Sequence, residues 1–184
     1  MTEAKRVPSS VMAIGPGNDS KLALVQEYHL VLQEGLWIGD VRASRNVQFL
    51  LDNNIRYVVD LLGQNTNYIP NIKGVKRLFL RVDDWVTSGN EMKSAILKAN
   101  PFIKKGLGNG HGVLVHCAAG ISRSATVVTS YLVTEKHMKV LDALDIIRQV
   151  RPSIQPNPGF MQVLFELSGE SYSDEDLYNG KKPD

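Results

Sequence analysis

The chain has 184 residues, 43% of them hydrophobic and 22% charged, with a formal net charge of +2 and a single cysteine. That length can bury a core without staples, one cysteine excludes an intramolecular disulfide, and no apolar run reaches the roughly 20 residues a membrane helix needs. The charge is uneven. Residues 166–184 carry six acids against two lysines, which leaves 19 basic and 13 acidic side chains in residues 1–165. A basic body modestly favours anionic substrates, but without an Arg/Lys tract interleaved with aromatics it carries no nucleic-acid signature. The opening MTEAKRVPSS lacks an apolar secretory core and a lone thiol suits a reducing compartment, so cytoplasm or nucleus is the expected location.

Residues 1–25, with Pro8, Gly15, Pro16 and Gly17 among polar neighbours, read as a flexible arm ahead of one domain spanning 26–168. LVLQEGLWIGD (30–40) reads as two short strands about a turn at Glu34-Gly35. Ser44 is placed to cap a helix through VQFLLDNN, with Val47, Leu50 and Leu51 on one face. IRYVVDLL (55–62) suits a buried strand, Gly63 to Gly74 a polar loop, and KRLFLRV (76–82) a further strand. Helical spacing runs from Glu91 to Lys105 through Met92, Ala95, Ile96, Ala99 and Ile103, with Pro101 predicting a kink or break. Gly106 to Gly110 reads as a loop and GVLVH (112–116) as a central strand.

ATVVTSYLVTEK is ambiguous, its β-branched residues suggesting strand and its place after a tight loop suggesting a buried helix. Leu141, Leu144, Ile147 and Val150 predict an amphipathic helix stopped at Arg151-Pro152, and Asn157-Pro158 caps and starts a last helix through Leu167. Residues 169–184 read as a frayed acidic tail, with Tyr172, Tyr178 and the SDED run as a modification site at most. Strands alternating with helices give an α/β fold: a central, mostly parallel sheet of four to five strands flanked by helices.

The chemistry concentrates in HCAAGISRS, where Cys117 is followed by five small or uncharged residues, Ala118, Ala119, Gly120, Ile121 and Ser122, and then by Arg123. A strand, a loop of small residues and a helix let backbone N–H groups converge into an anion nest, with the helix dipole behind it. Such a nest favours the thiolate form of a cysteine, and Arg123 can clamp two phosphate oxygens in a way lysine cannot. His116 would hold the loop backbone, and Ser124 would donate a hydrogen bond to the sulfur when it leaves. The competing reading of Cys117 is an inert core thiol.

His-Cys-x5-Arg-Ser resembles the signature of the cysteine-dependent protein tyrosine phosphatase superfamily, and VLVHCAAGISRSATVVTSYL resembles its dual-specificity branch. The likeness extends over roughly residues 28–167, through GLWIGD, NIRYVVDLL, RLFLRVDD and RPSIQPNPGFMQVL. It implies the phosphatase-like fold, a helix for 124–136, a shallow pocket, no metal and no organic cofactor. It also implies an aspartate general acid after the RLFLRV strand. If Leu80 and Val82 point inward, Asp84 takes that position and Asp83 is the alternative; a solvated loop acid or a helix cap is the competing reading of Asp84. Tyr57 in NIRY runs straight into VVDLL and reads as part of a buried strand, not as the wall of a deep pocket.

Trp85 beside the acid is either a lid or ordinary packing, Lys73, Lys76 and Arg81 a solvated face, and His29, His111 and His137 surface or loop residues outside any metal set. Three functions compete: a dual-specificity protein phosphatase; the same chemistry on a phosphoinositide, RNA 5′-phosphate or glucan; and a phospho-binding scaffold. The uncharged residues 118–122 favour a phosphoprotein. Family analogy alone suggests a MAP kinase as the partner substrate.

Overall fold

We describe the protein from a computed structural model covering residues 27–63 and 71–179. The strands are β1 (Tyr28–Leu32), β2 (Leu36–Gly39), β3 (Ile55–Asp60), β4 (Lys76–Phe79) and β5 (Gly112–His116). The helices are α1 (Val47–Asp52), α2 (Gly89–Gly108), α3 (Arg123–Lys136), α4 (Val140–Val150), α5 (Pro158–Ser168) and α6 (Asp174–Asn179). The strands form one sheet in the order β1-β2-β5-β3-β4; β1 is antiparallel to β2 and every other pair is parallel.

All five residues of β5 are buried, as a central parallel strand covered on both faces requires. Alternation divides its side chains between two cores. Val113 and Val115 join Leu36, Ile38, Tyr57 and Val59 beneath α2 to α5, whereas Leu114 joins Val58, Phe49 and Leu50 on the opposite face beside α1. The sheet therefore delivers His116 and Cys117 from the C-terminal end of a strand covered on both faces.

Several expectations change. Asn46, not Ser44, caps α1: its side chain accepts from the Phe49 N–H, while Ser44 lies in a 3-10 turn at Ala43–Arg45 and donates to the Val41 carbonyl. Phe49 and Leu50 face inward, into a core with Val58 and Leu114, and Val47 and Leu51 are exposed. α2 continues unbroken through Pro101 to Gly108, replacing the start of the expected loop; Pro101 and Leu97 both lie on the exposed face, where water can satisfy a carbonyl that proline cannot. β4 ends at Phe79, with only an isolated bridge between Leu62 and Arg81 beyond it.

The ambiguous segment is helical, with ten consecutive residues from Ser124 to Val133 buried; tertiary packing overrides the β-branched preference. The stretch after Ser168 does not run free. Tyr172 stacks on Phe165, the Glu170 carboxylate accepts from the Val140 N–H, and Leu177 of α6 packs against the core. The expected arm at 1–25 and most of the polar loop, residues 64–70, lie outside the described residues.

One close approach sets the seating of α2. A Cβ on Gly106 would lie 2.6 Å from Val113 Cγ2 and 2.9 Å from Tyr57 Cγ. Alanine usually improves a helix interior by about 1 kcal/mol over glycine, whereas overpacking costs about 1–3 kcal/mol, so overpacking wins here. Gly106→Ala is expected to lower the midpoint of urea unfolding at an unchanged slope; a raised midpoint would show that α2 shifts freely over the sheet.

Candidate active site

Between β5 and α3 the chain turns sharply around the Cys117 sulfur. The Gly120 N–H donates to Sγ at 3.2 Å, and Ser124 Oγ lies 3.3 Å from it. Cys117 itself is buried at the base of the loop. The carbonyls point the other way, and each has a donor. Ala118 O accepts from Val41 N, Ala119 O and Gly120 O from Arg151, Ile121 O from Gln155 N, and Ser122 O from Thr126 N and Oγ1. Since a trans peptide carries its N–H opposite its C=O, outward carbonyls turn the N–H groups of the same peptides toward the concave side, where that of Gly120 reaches the sulfur.

Gly120 is required there. Its φ is +71°, and a Cβ would meet Arg151 Nη2 at 2.6 Å and Gly39 O at 2.8 Å.

Arg123 opens α3. Its Nη1 donates to the Val82 carbonyl at 3.2 Å, and its buried Nε stands 3.5 Å from Asp84 Oδ2 without a hydrogen bond. Asp84 faces the loop: its Oδ1 accepts from Ser122 Oγ at 2.7 Å and from Asn157 Nδ2 at 3.0 Å. Asp83 turns outward, its side chain 58% exposed and 4.0 Å from Arg81. Leu80 and Val82 are buried, and Asp84 follows in the same alternation on the loop side, its side chain 34% exposed.

Asn157 joins two functions in one side chain. Its Oδ1 caps α5 by accepting from Phe160 N, its Nδ2 holds Asp84, and its own N–H donates to Ser122 Oγ. Trp85, beside Asp84, is 69% exposed.

Behind the loop, His116 is fully buried with Nδ1 3.4 Å from the Cys117 carbonyl. Its Nε2 stands 3.4 Å from Asp60 Oδ2, close enough for an ion pair although the geometry gives no hydrogen bond. Asp60 closes β3, and its Oδ1 accepts from the Leu62 N–H. Sequence reasoning passed over Asp60, Arg151 and the second role of Asn157. The polar ends of apolar segments were the available signal: YVVD for Asp60, and for Arg151 a charged residue that had served only as a helix stop. His29 also departs from the surface reading, lying partly buried in β1 with Nδ1 3.1 Å from Arg151 Nη1.

The fold and this loop define a cysteine-dependent phosphatase class. The family model for the dual specificity phosphatase catalytic domain matches residues 36–170. The chain belongs to that family. MAP kinase phosphatase with leucine-rich repeats protein 3 of Dictyostelium discoideum is 32% identical over 155 residues, covering 84% of this chain; the chain spans only 18% of that relative's length. Dual specificity protein phosphatase 1B of Arabidopsis thaliana is 32% identical over 86% of this chain and 93% of its own. Among solved structures, that of DUSP15 superposes with a TM-score of 0.71 at 30% identity, covering 82% of this chain and 92% of that one.

Gly120→Ala is expected to leave the protein folded and to lower hydrolysis of a small aryl phosphate about 100-fold, the scale of a misplacement near 1 Å in a positioned site. Circular dichroism with steady-state kinetics checks this; wild-type turnover would mean that the loop geometry does not govern the reaction.

Proposed function

We propose that this chain is a dual-specificity protein phosphatase, hydrolysing phosphotyrosine and phosphoserine or phosphothreonine on proteins through a phosphocysteine intermediate. The observation that carries the reading is the loop wrapped around Cys117 Sγ, with Arg123 at its end 3.5 Å from Asp84.

In the first step the Cys117 thiolate attacks phosphorus in line with the leaving oxygen. The S–P bond forms and the P–O bond breaks, while the N–H groups of residues 118–123 and the Arg123 guanidinium hold the equatorial oxygens. Asp84, protonated, gives its proton to the leaving oxygen. Because Oδ1 is occupied by two donors, Oδ2 beside Arg123 is the oxygen that carries it. In the second step the Asp84 carboxylate takes a proton from water, the water oxygen attacks phosphorus, and the S–P bond breaks. Ser124 Oγ then donates to the departing thiolate, and His116 keeps the Cys117 carbonyl, and so the loop entrance, in place. No cofactor enters this scheme.

Two features support a protein substrate of either kind. The loop residues 118–122 carry no charge that would select a polyanionic lipid or sugar. Tyr57 is buried in β3, its hydroxyl accepting from Asn109 Nδ2, so that residue does not deepen the entrance toward phosphotyrosine alone.

Cys117→Ser is expected to abolish turnover of an aryl phosphate. Asp84→Asn should lower kcat by about 10²–10⁴, the usual scale of general acid–base catalysis, while Asp83→Asn stays near wild type. A larger loss for Asp83→Asn would transfer the acid role to Asp83. Phosphate release from phosphotyrosine and phosphothreonine peptides, measured beside a phosphoinositide, tests the substrate class; faster release from the lipid would overturn the protein reading. The name of the Dictyostelium relative makes a phosphorylated MAP kinase a substrate to include.

A further inference from the structure

Arg151 follows α4 and is 1% exposed, directly behind the loop. Nη2 donates to Ala119 O at 2.9 Å and Nε to Gly120 O at 2.8 Å. Held that way, the two peptide groups turn the N–H of Gly120 and the N–H of Ile121 to the concave side, and the first of these reaches the Cys117 sulfur. The third nitrogen, Nη1, lies 3.1 Å from His29 Nδ1. A guanidinium only donates, so Nδ1 must be the bare nitrogen of a neutral imidazole that carries its proton on Nε2.

We propose that Arg151 and His29 form a positioning pair for phosphate binding. Neutral His29 orients the guanidinium that turns the Gly120 and Ile121 N–H groups toward the phosphate, and protonation of His29 loosens that hold. The proposal rests on the reading of residues 117–123 as the phosphate site.

The surroundings of the pair are consistent with a proton-sensitive contact. His29 stands opposite Ile38 of β2, and α4 packs on β1. Of the charged residues of α4, Asp142, Asp145 and Arg148, the last two approach each other at 3.4 Å. Burial first, and then the Arg151 cation, draw the His29 imidazole below its ordinary value, so the neutral form persists through neutral pH. On the far side of Arg151, burial works against its charge, Asp40 and Cys117 support it, and Arg42 opposes it. A proton on His29 Nδ1 would remove the acceptor and set two cations face to face at the distance of a hydrogen bond.

The test compares inhibition constants for inorganic phosphate, with kcat and KM for a small aryl phosphate, from about pH 5 to pH 8, the range in which a histidine titrates. Ratios of variant to wild type cancel the titration of phosphate itself. His29→Leu, which has no acceptor, should weaken phosphate binding several-fold at the upper end of the range. His29→Gln, whose amide oxygen accepts but does not titrate, should restore most of that loss and bind phosphate increasingly better than wild type as the pH falls below the ordinary imidazole value. Arg151→Lys, which keeps a charge without the planar fork, should weaken phosphate binding about tenfold. A His29→Gln ratio that does not vary with pH, or a wild-type inhibition constant for Arg151→Lys, would overturn the pair. If melting curves show that Arg151→Lys does not fold, the two His29 variants decide alone. Turnover by Cys117→Ser would instead remove the phosphate-site reading itself, an outcome distinct from an inactive Cys117→Ser beside a pH-independent His29→Gln ratio.

Discussion

The direction of five peptide groups is the constraint on which the site depends. A backbone nest gathers N–H groups only if the carbonyls of the same peptides are turned away, and a carbonyl turned into the protein must find a donor or lose about 1–3 kcal/mol. Residues 118–122 meet that demand with donors from four places: Val41 after β2, Thr126 in α3, Arg151 after α4 and Gln155 before α5. The sheet and the helices on its larger core are thus scaffolding for one outward-facing row of oxygens. Small residues in the loop allow the curl, but donors outside the loop hold it.

The acid loop is held by similar means. Ser122 and Asn157 both donate to Asp84 Oδ1, and the Asn157 N–H donates back to Ser122, closing a ring of three side chains from three elements. Gly159 completes it, because a Cβ there would overlap the Val86 carbonyl. The N-terminus of α5 is therefore both the end of a helix and the seat of the loop that carries Asp84 and the exposed Trp85.

Local signals made much of this legible. The period-two strands, the Asn157-Pro158 start and the strand-loop-helix order around Cys117 each depend on near neighbours, and the structure carries them all. What escaped depends on contacts distant in sequence. Ser44 and Asn46 are both good caps, and only packing of Phe49 and Leu50 under the sheet chooses between them. The 124–136 segment has β-branched residues that favour a strand in isolation, yet ten buried positions in a row need a helix enclosed on every side. Asp60, His29 and Arg151 look like the polar ends of apolar segments until the fold brings them behind the loop.

The arrangement also explains why the buried charges lie where they do. A guanidinium in the interior is costly unless its donors are used and its charge answered. Arg151 uses its donors on the Ala119 and Gly120 carbonyls and on His29, while Asp40, itself held by the Arg42 and Ala43 N–H groups, answers the charge. An apolar side chain at that position would leave two loop carbonyls without their donor and would not fix their direction. A lysine would supply the charge without the planar fork that reaches two carbonyls and a ring nitrogen together. The cost of burying arginine is thus coupled to the orientation of the N–H groups around Cys117, so a change that relieves that cost also relaxes the site.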